Sequence, residues 1–275
     1  MLKKDLKLEK LARTIRKDIV KMVHNAKSGH PGGSLSCVDI LVVLYKKILN
    51  VPVEWDKSID FKNRDRFVLS KGHASPALYA TLANIGYFSR DLLSGFRILG
   101  SKLQGHPSSR VNLPGIEAST GSLGQGLSIG VGMAMALRLD KINSKVFVLC
   151  GDGEMQEGNI WEGLMSANNR KLNNLVLIVD KNNLQIDGST DNVKTLEPLD
   201  EKLKAFGFIV ESVDGHDYKA LEDVLMRAKK SDKLYAIIAN TIKGKGVSFM
   251  ENNASWHGKA PKDEELKKAL EELDA

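Results

Sequence analysis

Cysteine is scarce in this sequence, with two residues in 275. Cys37 falls in a helical pattern and Cys150 ends an apolar run, so neither has the spacing of a metal-ligand pair. Aromatic residues are also few, at 6% of the chain. This cysteine usage favours a reduced, cytoplasmic protein.

Long apolar runs are missing as well. The longest, residues 129–137, is broken by glycines and is too short to span a bilayer. Residues 1–7 have no apolar core and do not form a signal peptide. The net charge is +6, but no basic block is interleaved with aromatic residues. We therefore expect neither a membrane protein nor a nucleic-acid-binding protein.

What the chain does contain is a regular alternation of apolar runs and amphipathic segments. The runs that predict strands are 66–69, 145–150, 175–180, 209–213 and 235–239. The segments that predict helices are 6–26, 36–49 (from Ser36 or Asp39), 75–85, 89–99, 121–139, 159–171, 203–206, 218–229 and 263–274. Loops are predicted at 28–33, 54–56, 183–197 and 241–261, and 121–139 is expected to be a buried helix. The alternation predicts an α/β fold: a doubly wound, mainly parallel sheet with helices on both faces, in one domain over residues 1–275.

Small polar side chains follow two of these strands. Gly151, Asp152 and Gly153 come after the run 145–150, and Asn182 and Asn183 come after the run 175–180. Ligands of open α/β sheets bind at the carboxyl ends of strands, and carboxylate and amide oxygens are what Mg²⁺ or Ca²⁺ requires. The pattern predicts a metal that holds a diphosphate, although a Gly-Asp-Gly sequence alone is also typical of an ordinary turn.

Four histidines, His30, His73, His106 and His257, each adjoin a glycine in a predicted loop. One such histidine would be an exposed loop residue, whereas four indicate groups that exchange protons or stabilise oxyanions. Zinc is the rival use, and their wide spacing without cysteine argues against it.

Two glutamates, Glu157 and Glu162, lie on the turn and helix after Asp152. They are either a solvated acidic helix start, favoured by the helix dipole, or part of a carboxylate network at a subunit boundary.

Seven segments, taken together, resemble the thiamine diphosphate-binding half (PP domain) of transketolase. They are SGHPG at 28–32, DRFVLSKGH at 65–73, GHP at 105–107, TGSLGQG at 120–126, GDGEMQEG at 151–158 together with Trp161 and Glu162, NNLQID at 182–187 and WHG at 256–258. The resemblance covers nearly the whole chain, and seven segments in order are far more specific than the metal signature alone.

The resemblance implies a role for each matched residue. Mg²⁺ or Ca²⁺ would be bound by Asp152, Asn182 and the backbone carbonyl of Leu184. Thiamine diphosphate would be contacted by His73, Gly121, Leu123, Gly153, Asn182, Ile186 and His257. The catalytic histidines facing the substrate would be His30, His106 and His257. Glu157 and Glu162 would meet a partner across an interface.

A complete transketolase is more than twice as long as this chain, and its pyrimidine-binding and C-terminal domains have no counterpart here. The resemblance therefore implies the N-terminal subunit of a split enzyme that transfers a two-carbon ketol unit from a ketose phosphate to an aldose phosphate, as in the pentose phosphate pathway. It would act only with a C-terminal partner subunit. The implied assembly is a homodimer of heterodimers, that is a heterotetramer.

Two other functions remain open. A 1-deoxyxylulose-5-phosphate synthase-like subunit shares the cofactor, although the segments at 28–32 and 105–107 favour transketolase. A non-catalytic, thiamine diphosphate-binding regulatory module is the second alternative.

Overall fold

The computed structural model describes residues 3–52 and 63–274, so the predicted loop at 54–56 lies outside it. Within these ranges five strands form a parallel sheet: β1 (Arg66–Leu69), β2 (Val146–Gly151), β3 (Leu175–Lys181), β6 (Ile209–Asp214) and β7 (Tyr235–Asn240). Their order across the sheet is β1-β2-β3-β7-β6. A separate antiparallel pair consists of β4 (Leu184–Gln185) and β5 (Gly188–Ser189).

Helices connect the strands. In the same ranges they are α1 (Lys3–Asn25), α2 (Pro31–Ser36), α3 (Val38–Val43), α4 (Ser75–Asn84), α5 (Gln125–Leu139), α6 (Gly158–Asn169), α7 (Thr190–Lys194), α8 (Leu199–Ala205), α9 (Tyr218–Lys230) and α10 (Asp263–Asp274). A π-helical turn, Leu44–Ile48, follows α3, and 3₁₀ turns occur at Gly72–Ala74, Arg90–Gly95, Ser109–Val111, Gly153–Gln156 and Ala254–Trp256. None of the helices described is both long enough and apolar enough to cross a bilayer.

The sheet is covered on both faces, because successive side chains of a strand point to opposite sides. In β3, Val176 and Ile178 pack into the core formed with α1, α3, α4 and α9. Leu175, Leu177 and Val179 pack into the core formed with α5, α6 and α8. The prediction of a doubly wound, parallel α/β sheet is confirmed.

The register of the sheet determines which segments of the chain lie side by side at its carboxyl edge. β2 and β3 are neighbours, with Gly151 paired to Asp180, and β3 also pairs with β7, with Lys181 opposite Asn240. Since these strands are parallel, the segments that leave Gly151, Lys181 and Asn240 all emerge at one edge of the sheet.

Some predicted boundaries were wrong where a helix starts. α2 begins at Pro31, inside the predicted loop 28–33, because proline fits the first turn of a helix. By contrast, α4 begins at Ser75 as predicted, and the Ser75 hydroxyl donates to the carbonyl of Gly105 at 2.8 Å. α5 begins at Gln125 and not at residue 121, because Gly124 has a left-handed backbone (φ 81°).

Other segments differ in kind from the prediction. Residues 89–99 contain only the 3₁₀ turn Arg90–Gly95, capped by Ser89, which accepts from the Asp91 N–H. The segment 183–197 is not an irregular loop, since it contains β4, β5 and α7. α5 is only half-buried, and Leu139 at its end is 80% exposed.

Candidate cofactor and metal site

A cavity of about 370 Å³ opens at the carboxyl edge of β2 and β3. Its wall contains every predicted metal- and cofactor-contacting residue, namely Asp152, Asn182, Leu184, His73, Gly121, Leu123, Gly153, Ile186 and His257. His30 and Glu157 also line it, whereas His106 and Glu162 do not. The structure therefore brings most of the predicted site residues together around one cavity.

Asp152 is buried where β2 ends. Its Oδ1 accepts from the Gly153 N–H at 2.8 Å, and its Oδ2 accepts from the Asn183 N–H at 2.5 Å. Burial, followed by the charge of Asp180, raises the pKa of Asp152 to about 6. A buried carboxylate without a cationic partner in direct contact is a costly group that a cation would stabilise.

The backbone conformation of Asn183 gives a physical reason for the second asparagine after β3. It adopts a left-handed backbone (φ 61°), which asparagine tolerates better than most residues. This turn aims its N–H at Asp152 and leads the chain into β4. The Asn182 side-chain oxygen accepts from the Leu184 N–H at 3.2 Å, and the Leu184 carbonyl accepts from Lys243 Nζ, also at 3.2 Å.

These oxygens fit a hard divalent cation. Asp152 offers a carboxylate, Asn182 an amide oxygen and Leu184 a backbone carbonyl, which is the donor set of Mg²⁺ or Ca²⁺. Two pocket-lining polar atoms, His30 Nδ1 and Gln185 Nε2, are buried and have no hydrogen-bond partner among the residues that the structure describes. Across residues 3–52 and 63–274, no group of three or more His, Cys, Asp and Glu side chains is placed to hold a metal.

The four histidines come from four distant loops and meet beside this cavity. The His30 ring centroid lies 5.3 Å from that of His73, 6.3 Å from that of His106 and 5.4 Å from that of His257. The His73 and His257 rings are 5.2 Å apart. Their grouping follows from the parallel sheet, which collects its loops at one edge.

The histidines are neutral at neutral pH. Burial, followed by the charge of Arg97, lowers the pKa of His30 to about 4. Burial, followed by the charge of Lys243, lowers the pKa of His257 to about 3. Burial also lowers the pKa of His73 and of His106. Each ring therefore offers one hydrogen-bond donor and one acceptor.

Glycine keeps the wall of the cavity open. A Cβ on Gly121, whose φ is +144°, would lie 3.0 Å from the His106 ring, and a Cβ on Gly33 would lie 3.3 Å from His73 Nε2. His106 thus stands directly behind Gly121 although it does not line the cavity.

Sequence reasoning missed a buried ion pair beneath the cavity. Lys71 Nζ donates to Asp180, which also accepts from the hydroxyls of Ser36 at 2.6 Å and Thr241 at 2.5 Å. Burial alone would raise the pKa of Asp180, but Lys71 holds it below its usual value. The sequence shows a lysine after β1 and an aspartate near the end of β3, but nothing in it indicates that the two side chains pair.

Lys243 is a second missed residue, visible in the sequence only as part of a glycine-rich loop. Its amino group lies 3.2 Å from the Leu184 carbonyl and 3.2 Å from His257 Nδ1. Burial, followed by the charge of Lys71, lowers the pKa of Lys243 to about 8. Two buried ammonium groups near one cavity fit a polyanionic ligand.

Glu154 is a third missed residue. Its carboxylate accepts from the Ser70 hydroxyl at 2.5 Å, from the Gly124 N–H at 2.9 Å and from the Gly151 N–H at 3.0 Å. Burial raises its pKa. It ties the loop carrying Gly121 and Leu123 to the ends of β1 and β2.

Breaking the buried pair should destabilise the fold. In Asp180→Asn, Lys71 keeps a charge in the interior without a counter-charge, so we expect a loss of about 3–5 kcal/mol in the free energy of unfolding. Urea denaturation at pH 7 measures it. The exposed pair Lys204–Asp200 provides the control, Asp200→Asn, for which no measurable change is expected. Equal stability of the two variants would contradict this account, and the double variant Lys71→Met/Asp180→Leu should recover part of the loss.

Three of the predicted site residues are exposed on the surface. Glu157 and Glu162 are exposed, so within the described chain they form no buried carboxylate network. Ile186, in the turn between β4 and β5, is 69% exposed beside the cavity.

A second cavity, of about 520 Å³, lies on the far side of the segment 241–246. Arg16, Asp39, His216 and Tyr218 line it, and none of the predicted site residues does.

The fold and the site define an α/β protein with a polar, cofactor-sized cavity at the carboxyl edge of its sheet. The chain belongs to the transketolase family, because residues 8–274 match the family model described as transketolase, thiamine diphosphate binding domain.

Individual proteins that are similar to this chain are named as transketolases or transketolase subunits. The chain is 44% identical over 270 residues to an apulose-4-phosphate transketolase subunit of Phocaeicola vulgatus, covering 97% of this chain and 93% of that protein. It is 40% identical over 275 residues to the 6-deoxy-6-sulfo-D-fructose transketolase subunit SqwG of Clostridium sp., covering 100% of this chain and 98% of that protein. The crystal structure of transketolase from Campylobacter jejuni superposes with a TM-score of 0.87 at 39% identity, covering 97% of this chain and 42% of that one. The chain thus spans about two fifths of that transketolase and nearly all of the two subunits.

Proposed function

We propose that this chain is the diphosphate-binding subunit of a transketolase, which transfers a two-carbon ketol unit from a ketose phosphate to an aldose phosphate. The observation that carries the proposal is the meeting of Asp152, Asn182 and Leu184 with four glycine-flanked histidines at one sheet edge.

The cofactor would be held at its diphosphate. Asp152, Asn182 and the Leu184 carbonyl would hold Mg²⁺ or Ca²⁺, which would neutralise charge on the diphosphate. Gly153 lets the diphosphate approach the backbone, since no Cβ stands there. His73 and His257 hydrogen-bond to its oxygens. The buried Lys243 adds positive charge at the same place.

The residues that would hold the other end of the cofactor lie toward the outside of the chain. Gly121 and Leu123 would form one wall for its thiazolium ring, and Ile186, in the β4–β5 turn, would cover it. The exposure of Ile186 supports this, because a large apolar side chain at a cavity rim gains from being covered.

Thiamine diphosphate, when bound, supplies the carbon nucleophile and electron sink that carbon–carbon bond cleavage requires. The chain supplies the proton chemistry. His30, His106 and His257 are neutral, so each accepts a hydrogen bond from a sugar hydroxyl at one ring nitrogen and donates one from the other. Such groups remove and return hydroxyl protons and stabilise an oxyanion that forms between them.

A second polypeptide completes the enzyme in this proposal. Two relatives matched over almost their whole length are named as subunits, which supports a split transketolase with the pyrimidine-binding and C-terminal domains on a partner chain. The exposed Glu157 and Glu162 are the side chains that would meet the partner. The proposed assembly is a cytoplasmic heterotetramer, a homodimer of heterodimers, that serves sugar phosphate interconversion such as the pentose phosphate pathway.

The substrate pair tests this function. We expect the chain, mixed with its C-terminal partner, thiamine diphosphate and Mg²⁺, to convert xylulose 5-phosphate and ribose 5-phosphate or another ketose–aldose phosphate pair. Pyruvate with glyceraldehyde 3-phosphate is expected to give no product. Turnover of pyruvate with glyceraldehyde 3-phosphate, without turnover of a ketose–aldose phosphate pair, would instead identify a 1-deoxyxylulose-5-phosphate synthase-like subunit. Cofactor binding without turnover of any pair would identify a regulatory module.

A further inference from the structure

A buried charge cluster lies outside the cofactor cavity, on the floor of the second one. Asp39 on α3 is 2% exposed and accepts two hydrogen bonds from Arg16, at 3.1 and 2.7 Å. It also accepts from the Tyr218 hydroxyl at 2.7 Å and lies 2.7 Å from His216 Nδ1. Burial alone would raise the pKa of Asp39, but Arg16 holds it well below its usual value. The carboxylate is therefore ionised and only accepts hydrogen bonds.

This fixes the tautomer of His216. Since Asp39 only accepts, Nδ1 of His216 carries the proton that it donates. Nε2 is then an acceptor, and the backbone N–H of Ile242 donates to it at 2.9 Å. One neutral tautomer satisfies both contacts, and the opposite tautomer would set two N–H groups against each other. Gly215 permits the approach, because a Cβ there would lie 2.4 Å from Thr241 Cγ2.

The peptide that His216 holds is next to Lys243, the lysine in the cofactor cavity. Thr241, just before it, donates to Asp180 at 2.5 Å, and the Gly244 N–H donates to the Gly32 carbonyl at 3.0 Å. Between these two anchors, His216 is the side chain that binds the Ile242 backbone. The direction in which Lys243 leaves the chain depends on the orientation of that peptide.

We propose that His216, oriented by Asp39, is a positioning residue that aims Lys243 at the diphosphate of the bound cofactor. The inference rests on the proposed function, because Lys243 serves the diphosphate only if the cavity binds one. His216 itself touches no cofactor and acts through the Ile242 backbone.

The variant His216→Asn tests the two hydrogen bonds of His216 separately, because it keeps one and removes the other. An asparagine amide nitrogen lies near the position of histidine Nδ1 and keeps a donor toward Asp39, but nothing then reaches the Ile242 N–H. Tyr218→Phe is the matched control, because it removes a hydrogen bond to the same carboxylate without touching residues 241–244.

Thiamine diphosphate binding at saturating Mg²⁺ is measured by calorimetry on the whole chain, together with thermal unfolding and hydrogen exchange of the Ile242 amide. In His216→Asn we expect the dissociation constant to rise about tenfold and the Ile242 amide to exchange faster, as the loss of one buried hydrogen bond predicts. In Tyr218→Phe we expect the dissociation constant to stay within about twofold of the parent value. Its melting temperature should nevertheless fall at least as far as that of His216→Asn. In the complex with the partner, KM for thiamine diphosphate should rise in His216→Asn while kcat at saturating cofactor is retained.

The proposal is overturned if His216→Asn binds thiamine diphosphate as tightly as the parent chain, or if both variants weaken binding equally. If His216→Asn fails to fold, the parent chain still provides a test. A ¹⁵N spectrum of the parent chain that shows a protonated Nε2 in His216 would overturn the proposal. Failure of the parent chain to bind thiamine diphosphate would instead remove the proposed function, and with it this inference.

Discussion

Replacing Asp152 by alanine is expected to abolish metal-dependent binding of thiamine diphosphate. Asp152 is the one carboxylate among the three proposed ligands, and the amide and carbonyl of Asn182 and Leu184 carry no charge to replace it. Outer-shell partners of a metal ligand already contribute about 10–100-fold to metal affinity, so losing the ligand itself should cost at least about 100-fold.

Calorimetric titration of thiamine diphosphate at fixed Mg²⁺ measures the effect. In a parallel titration with a metal chelator, the affinity of the parent chain should fall to that of the variant. Asp232→Ala is the control, because Asp232 is exposed and precedes β7 at the opposite edge of the sheet. Thermal unfolding of both variants separates lost binding from lost folding. A folded Asp152→Ala protein with the affinity of the parent chain would remove Asp152 from the site.

Ketol transfer by the purified chain alone is expected to be close to background, and addition of the C-terminal partner should raise it by several orders of magnitude. The physical reason is the shape of the site. In the proposed function the cavity would bind a metal, a diphosphate and sugar hydroxyls, whereas the groups that activate the aminopyrimidine ring would come from the pyrimidine-binding domain of the partner. That domain would cover Ile186 and the exposed Glu157 and Glu162.

Activity is measured as a function of partner concentration at fixed chain, cofactor and Mg²⁺. It should saturate at an equimolar ratio. Asp152→Ala chain with the same partner is the control, and it should stay at background because the cofactor is not retained. Full activity of the chain without any partner would refute the split enzyme.

The strands and the site edge were predictable because they depend on local signals. Apolar runs such as 175–180 are buried on both sides of a parallel sheet and are read directly from the sequence. Once β2 and β3 are taken as parallel neighbours, Asp152 and Asn182 must emerge side by side. The resemblance to transketolase, confirmed by the family match, then implied the remaining site residues.

The parts that sequence reasoning missed depend on contacts between distant residues. Lys71 and Asp180 are 109 positions apart, and nothing near either one shows that they pair. The Gly153–Gln156 and Arg90–Gly95 turns are too short for a periodic pattern to form. The half-exposed face of α5 looked like core because its residues are small and apolar, and composition alone does not tell a buried face from one that faces solvent.

Glu154 has a consequence for how this protein matures. Its single carboxylate joins Ser70 after β1, Gly124 before α5 and Gly151 at the end of β2. A nascent polypeptide that has not yet emerged past residue 154 lacks the carboxylate that joins these three points. The loop that carries Gly121 and Leu123 should therefore take its final position only after residue 154 has been synthesised, even though the loop itself is made earlier.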